Sequence, residues 1–333
     1  MLIRYVPLQA PLSDASLPTS PSAVCLGNFD GIHIGHEALV KATIALAKSM
    51  SRELGKKVRA CALFFSPTPS DCISDGPKAM QGHIMTDEEK LLRFQMLELD
   101  GVYICDFPSI RKKSPDQFIR EILWKQCFCR SVVCGFNYRF GYQAQGNADT
   151  LRQYFDCPPN FYFCLVPEVK YHGETVSSSL IRKYLAKGDM ETASELLGHS
   201  FSLRHTVVHG KSIGKTLGYP TLNYVFQGKK IIPHWGIYAT QTEIDGHMYS
   251  SVTNIGVCPT VDKDGGQVTC ETFLIHCPES TDLYGKTVTI HFYHKLRDEK
   301  KFDSVQTLSE AISQDVAQTK EYFLVHNRFE KTE

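Results

Sequence analysis

In the first half of the chain, short bounded apolar runs alternate with amphipathic stretches. Residues 23–26, 59–65, 102–105, 131–134 and 161–166 are compact apolar runs, each stopped by polar, Gly or Pro positions, which predicts buried strands. Residues 2–6 are a further strand-like start, followed by a Pro- and Ser-rich loop. Between the runs lie helix-period stretches, the first over 37–50. Thr86-Asp87-Glu88-Glu89 has capping-box spacing and opens a helix through Leu99. Ser114-Pro115-Asp116-Gln117 opens another, with Ser as the cap and Pro in the first turn. Residues 148–155 form a shorter one. Strands alternating with helices predict a parallel, doubly wound sheet whose ligand sits beyond the strand C-terminal ends.

The pattern changes near residue 200. Residues 202–208, 236–244, 248–255, 267–275 and 286–294 alternate apolar and polar with period two, punctuated by Gly and Pro. That predicts an antiparallel, barrel-like domain, closed by a helix over 305–322. Just before the change, 176–187 reads as a helix stopped at Gly188, and 190–197 as a short helix ended by Gly198. The expected organisation is an α/β unit over 1–197 and a β-barrel with a closing helix over 198–333.

Charge narrows the partners. Lys+Arg and Asp+Glu both number 36, for a formal net charge of zero, which argues against bulk binding to nucleic acid or to an anionic membrane. A local phosphate pocket remains compatible with it. The 12 cysteines include no CxxC pair, and several sit in apolar runs, where reduced buried thiols are expected. No secretory leader and no run of membrane-span length is evident, so the expected location is the cytoplasm.

The stretch 27–36 reads Gly-Asn-Phe-Asp-Gly-Ile-His-Ile-Gly-His. Strand, tight glycine turn and helix in that order bring backbone amides close to a ligand, and a helix start favours an anion. His33 and His36 stand three apart and can reach one group. A nucleotide-phosphate site is the first expectation. A glycine turn with incidental histidines is the plain alternative. Zinc on the two histidines is another, with no further ligand nearby at metal spacing.

This stretch resembles GxFDGxHxGH, the signature of nucleotidyltransferases that transfer AMP from ATP. Ser177-Ser178-Ser179-Leu180-Ile181-Arg182 resembles their second signature, I/V-S-S-S/T-x-x-R. The segment from Gly135 to Gly141 looks like that of one branch, the prokaryotic FAD synthetases, which are bifunctional riboflavin kinases and FMN adenylyltransferases. The second half resembles the kinase part of the same family. Gly210, then Gly214-Lys215-Thr216-Leu217-Gly218-Tyr219-Pro220-Thr221-Leu222-Asn223, resembles GxxxGxxLGFPTAN. Gly236-Ile237-Tyr238-Ala239 resembles GVYA, and Asn254-Ile255-Gly256 with Pro259-Thr260 resembles NIGxxPT. Cys270-Glu271-Thr272-Phe273 with Asp282-Leu283-Tyr284-Gly285 resembles VExxxLDxxxDLYG, and Leu296-Arg297 with Lys301-Phe302-Asp303-Ser304 resembles LRxxxKFxS.

The resemblance implies roles. His33 and His36 would hold the ATP phosphates. Gly27, Phe29, Asp30 and Gly35 would shape that ATP pocket, with Ser177, Ser178, Ser179 and Arg182 closing on the phosphates. Asn137 and Phe140 would lie near the flavin or its phosphate. In the second half, Gly210, Gly214, Lys215 and Gly218 would bind ATP, Thr221 and Asn223 would hold Mg²⁺, Glu271 would be the catalytic base, and Arg297 would meet flavin or phosphate. Read without the resemblance, Asn137 and Asn223 are ordinary caps, Glu271 is an exposed-face glutamate and Arg297 is a solvated cation.

The implied function is FAD biosynthesis: ATP-dependent phosphorylation of riboflavin to FMN, then adenylylation of FMN to FAD. The partners implied are riboflavin, FMN, FAD and ATP as co-substrate, with Mg²⁺ as cofactor. Two alternatives stand beside it: a monofunctional riboflavin kinase with a degenerate or regulatory first half, and a non-catalytic flavin-responsive or storage protein. Four departures bear on the choice. The family's FDPHP loop is Phe65-Ser66-Pro67-Thr68-Pro69, lacking the acid and the histidine. The Ala of PTAN is Leu222, a glycine expected near 205 is His205, and the Asn before Pro-Thr is Cys258.

Overall fold

The computed structural model describes residues 1–6, 18–73, 82–158, 161–207, 221–226, 229–258, 267–275, 283 and 285–326. Gly210, Gly214, Lys215 and Gly218 lie outside the described residues. Contacts divide the chain into Met1–Ser178 and Ser179–Glu333.

The first unit holds β1 (Leu2–Val6), β2 (Ser22–Leu26), α1 (Ile34–Leu54), β3 (Arg59–Phe65), α2 (Pro69–Ile73), α3 (Asp87–Met96), β4 (Gly101–Cys105), α4 (Phe107–Ile110), α5 (Pro115–Gln117), β5 (Cys129–Gly135), α6 (Ala148–Phe155) and β6 (Tyr162–Val166). A hairpin of β7 (Lys170–Tyr171) and β8 (Glu174–Thr175) follows. The expected strands and helices are present. The helix opened by Ser114 runs on as a π-helix over Phe118–Gln126.

Strands β1 to β6 form one parallel sheet in the order β1-β4-β3-β2-β5-β6. β2 is buried at every position, which is why it reads as an uninterrupted apolar run. One face packs against α1 through Leu39, Val40, Ala47 and Met50. The other packs against the π-helix and α6, through Phe118, Ile122, Leu151 and Phe155. From β2 the chain first winds out to β3 and β4, then returns to β2's other side at β5. That reversal is a topological switch point, and the turns after β2 and β5 flank the crevice it creates.

The second unit contains α7 (Ser178–Leu185), α8 (Met190–Leu197), β9 (Phe201–Thr206), β10 (Thr221–Val225), β11 (Gly236–Ile244), β12 (His247–Cys258), β13 (Gln267–Leu274), β14 (Thr287–Arg297) and α9 (Val305–Val325). The change of pattern near residue 200 marks where the strands begin. The division of contacts falls earlier, because α8 packs on β9 and β14. The strands form one antiparallel sheet, β10-β13-β12-β11-β14-β9. It curls until its edge strands meet: the rings of His205 on β9 and Tyr224 on β10 lie 4.5 Å apart.

His205 explains one departure and carries a prediction. It is only 7% exposed and packs against Tyr224. Burial pushes its pKa down to about 4. The unfolded chain therefore binds a proton that the folded unit refuses, between about pH 6.5 and 4. Stability is expected to fall by roughly 3 kcal/mol as pH drops through that window. Chemical denaturation across the range checks it: His205→Phe should flatten the slope, and an unchanged slope would refute the assignment.

Candidate active sites

The turn after β2 is built by close approach. A Cβ on Gly27 would come within 3.1 Å of the Phe29 ring, and one on Gly35 within 3.1 Å of the His33 ring. Gly31 has φ +85°, a left-handed conformation suited to glycine. His33 caps α1, its Nδ1 accepting from His36 N at 3.3 Å. In the neutral ring the His33 proton is then on Nε2. The two imidazoles stack, centroids 3.7 Å apart, and His36 also packs on Phe29 at 5.0 Å. Burial, then His33, then Lys90 hold the His36 pKa well below its ordinary value, so this imidazole is neutral at physiological pH.

Asp30 has a different part from the one expected. Its buried Oδ1 accepts from Ile84 N (2.9 Å) and Met85 N (3.2 Å), while its carbonyl accepts from Ser178 Oγ (2.8 Å). It clamps three segments together. Ser177 is half-buried in the same unit; Ser179 is exposed and Arg182 half-buried on α7, within the second unit. Phe140 is 4% exposed and packs on Phe118 and Tyr138. Asn137, in the turn after β5, is exposed.

The second constellation comes from register. Antiparallel partners put their side chains on one face. Asn223 lies opposite Glu271, Glu271 opposite Asn254, Asn254 opposite Ile237, and Ile237 opposite Arg297. Glu271 thus stands between two amides, half-buried. Thr221 shares the Asn223 face, two residues away, and Asn223 Nδ2 donates to Thr221 O at 3.1 Å. Two neutral oxygen donors beside a carboxylate suit a hard divalent cation.

Arg297 belongs to the row but is committed elsewhere. Its Nε and Nη2 donate to the two carboxylate oxygens of Asp315 on α9, at 2.8 and 2.7 Å. Asp315 is 3% exposed. Drawing the guanidinium away would strand a buried carboxylate, at a cost of roughly 3–5 kcal/mol. Arg297 ties β14 to α9 through this pair. Asn254, quoted in a motif without a role, and Lys90, with no motif at all, are residues that sequence reasoning missed.

Comparison with known proteins bears on the whole chain. A riboflavin kinase family model matches residues 197–323, and an FAD synthetase model matches residues 16–180. A bifunctional riboflavin kinase/FMN adenylyltransferase from Bacillus subtilis is 30% identical over 304 residues, covering 91% of this chain and 92% of the relative. The chain belongs to the bifunctional riboflavin kinase/FMN adenylyltransferase family. A second family member, from Buchnera aphidicola of Acyrthosiphon pisum, is 30% identical over 92% of this chain and 95% of its own length. A solved structure described as a macrolide-efflux protein from Streptococcus pneumoniae superposes with a TM-score of 0.81. It is 26% identical and covers 96% of this chain and 99% of its own. Among the described residues no helix is long and apolar enough to cross a membrane.

Both parts of the family are therefore present in one chain. A cavity of about 820 Å³ in the second unit is lined by Glu191, His199, Gln241, Tyr293 and Tyr322 among others, and among the described residues none of the expected kinase residues lines it. The Glu271 row stands apart from it on β13, and the glycine-rich segment before β10 lies outside the described residues.

Proposed function

We propose that this family member carries out both reactions of FAD formation, each in its own unit. The observation that carries the reading is the match of two constellations to two chemical demands. One is a stacked histidine pair, its His36 imidazole kept neutral by burial, on a glycine turn at a helix start. The other is a carboxylate set between amides in a β-sheet.

Riboflavin offers a neutral primary alcohol, so its phosphorylation needs a base. Glu271 accepts the hydroxyl proton as that oxygen attacks the γ-phosphorus of ATP, and ADP leaves. Thr221 Oγ1 and Asn223 Oδ1 are the groups that would hold Mg²⁺. When bound, the ion neutralises charge on the ATP phosphates. The second reaction needs no base, because the FMN phosphate is already anionic. Its oxygen attacks the α-phosphorus of ATP and pyrophosphate leaves. Catalysis there is positioning and charge stabilisation. His33, through Nε2–H, and His36 donate hydrogen bonds to the phosphates beside the N-terminus of α1. Free buried thiols such as Cys61, Cys127 and Cys270 support a reducing, cytoplasmic setting.

The test is the purified chain with riboflavin, ATP and Mg²⁺, followed by chromatography. FMN and then FAD should appear, with one pyrophosphate per FAD. FMN without pyrophosphate would leave a kinase with a silent first half. Neither product would overturn the reading.

A further inference from the structure

The loop after β3 lacks the acid and the histidine of FDPHP, yet the structure sets a carboxylate on each of the two positions, and the second carboxylate holds an imidazole. Ser66 Oγ hydrogen-bonds Asp87, in the first turn of α3. Asp87 Oδ1 in turn holds Lys90 Nζ at 3.0 Å. Lys90 is 1% exposed, its ammonium 4.8 Å from the Phe64 ring, and close enough to His36 for its charge to help keep that imidazole neutral. At the second position, Thr68 donates to Asp71 Oδ2 through Oγ1 (2.7 Å) and N (3.0 Å). His83 Nε2 lies 3.1 Å from both Asp71 oxygens. At each site a hydroxyl stands where the family has a charged or titratable side chain, and it grips a carboxylate: Asp87 from α3 at Ser66, and at Thr68 the local Asp71, three residues on in the first turn of α2, to which His83 is brought from another segment. Both replacements flank Ile84 and Met85, whose amides Asp30 fastens to the histidine turn.

We propose that Asp87 and the Asp71–His83 pair replace the missing loop acid and histidine, as positioning residues for FMN adenylylation, with Ser66 and Thr68 as their anchors. The proposal rests on the adenylyltransferase reading above. Asp87 acts through Lys90: it fixes the position of a buried ammonium whose charge reaches His36, near where negative charge develops on the ATP phosphates. His83 acts on the loop through Asp71, holding Thr68 in place.

The test moves the groups back. In the full-length protein, Asp87→Asn should lower kcat for FMN adenylylation about tenfold or more, with KM for FMN changed less than about twofold. The double variant Ser66→Asp with Asp87→Ser restores a carboxylate to the loop and should recover the rate to within about threefold of the parent. His83→Gln should lose rate, and adding Thr68→His should regain part of it. Asp87→Glu, which keeps the charge, should stay near the parent. Riboflavin phosphorylation by the same preparations should not change, which controls for folding. A merely structural role would lower both kcat and thermal stability without rescue by relocation. Parent-like activity in Asp87→Asn, or a double variant no better than the single, would overturn the proposal. Absence of pyrophosphate release by the unmodified protein would instead overturn the adenylyltransferase reading on which it stands.

Discussion

Glu271→Gln is expected to abolish FMN formation while leaving conversion of FMN to FAD intact. Glutamine is nearly isosteric, so the row from Asn223 through Asn254 keeps its shape. What is lost is the base. General-base catalysis contributes about 10²- to 10⁴-fold, equivalent to roughly 3–5 kcal/mol of barrier. Riboflavin's hydroxyl has no other route to deprotonation in the reading above, so the kinase rate should fall by that amount. Adenylylation uses a nucleophile that is already ionised and lies in the other unit, so it should be unaffected. The measurement is product chromatography from two separate starts, riboflavin with ATP and FMN with ATP. A kinase rate within tenfold of the parent would remove Glu271 from the role of base. Loss of both products would contradict two independent sites.

His36→Ala should produce the reverse pattern. Alanine keeps the backbone N–H that His33 Nδ1 accepts, so the cap of α1 survives. Only the imidazole goes, together with its stack on His33 and its contact with Phe29. Losing one preorganised donor to a developing anion costs about 10²- to 10³-fold in kcat. Pyrophosphate release from FMN and ATP should fall by that factor, and FMN formation from riboflavin should not change. The pH profile gives a second readout. Because the His36 pKa is held well below 6.5, it loses no proton between pH 6 and 8. The adenylylation rate should therefore show no His36 inflection in that range and should decline only at more acid pH. A histidine-like step near 6.5 that disappears in His36→Ala would contradict the buried, neutral assignment.

Much of this was legible in the chain. Apolar runs such as β2 and β3 are short, bounded and buried on both faces, so their composition alone marks a parallel sheet. The period-two segments after residue 200 carry their own signature because one face of each antiparallel strand differs from the other. Caps at Thr86 and Ser114 are local chemistry, and each forms the expected reciprocal bonds. The histidine pair was visible for the same reason: three residues at a helix start set their distance, whatever the rest of the fold does.

Other features were not legible, because they depend on partners far away in sequence. Arg297 ends a strand and reads as a solvated cation until Asp315, eighteen positions on, accepts from its Nε and Nη2. Phe140 sits in a motif-like turn but packs into the core beside Phe118. Lys90 lies in a charged helical stretch that looks solvated, yet it is buried against Phe64 next to His36. The substitutions at Ser66 and Thr68 read as losses in one dimension. In three, Ser66 meets Asp87, and Asp71 beside Thr68 meets His83.

By itself the sequence determined the two-part organisation, the parallel and antiparallel sheets and the histidine turn, which follow from periodicity and spacing within a few residues of chain, while the Glu271 segment stood out through its resemblance to the kinase motif. The tertiary structure alone decided which charged groups are available to a ligand and which are already spent on the protein. Those choices are made by desolvation and by pairing between distant segments, as when Asp30 draws residues 84 and 85 onto the turn that carries His33 and His36.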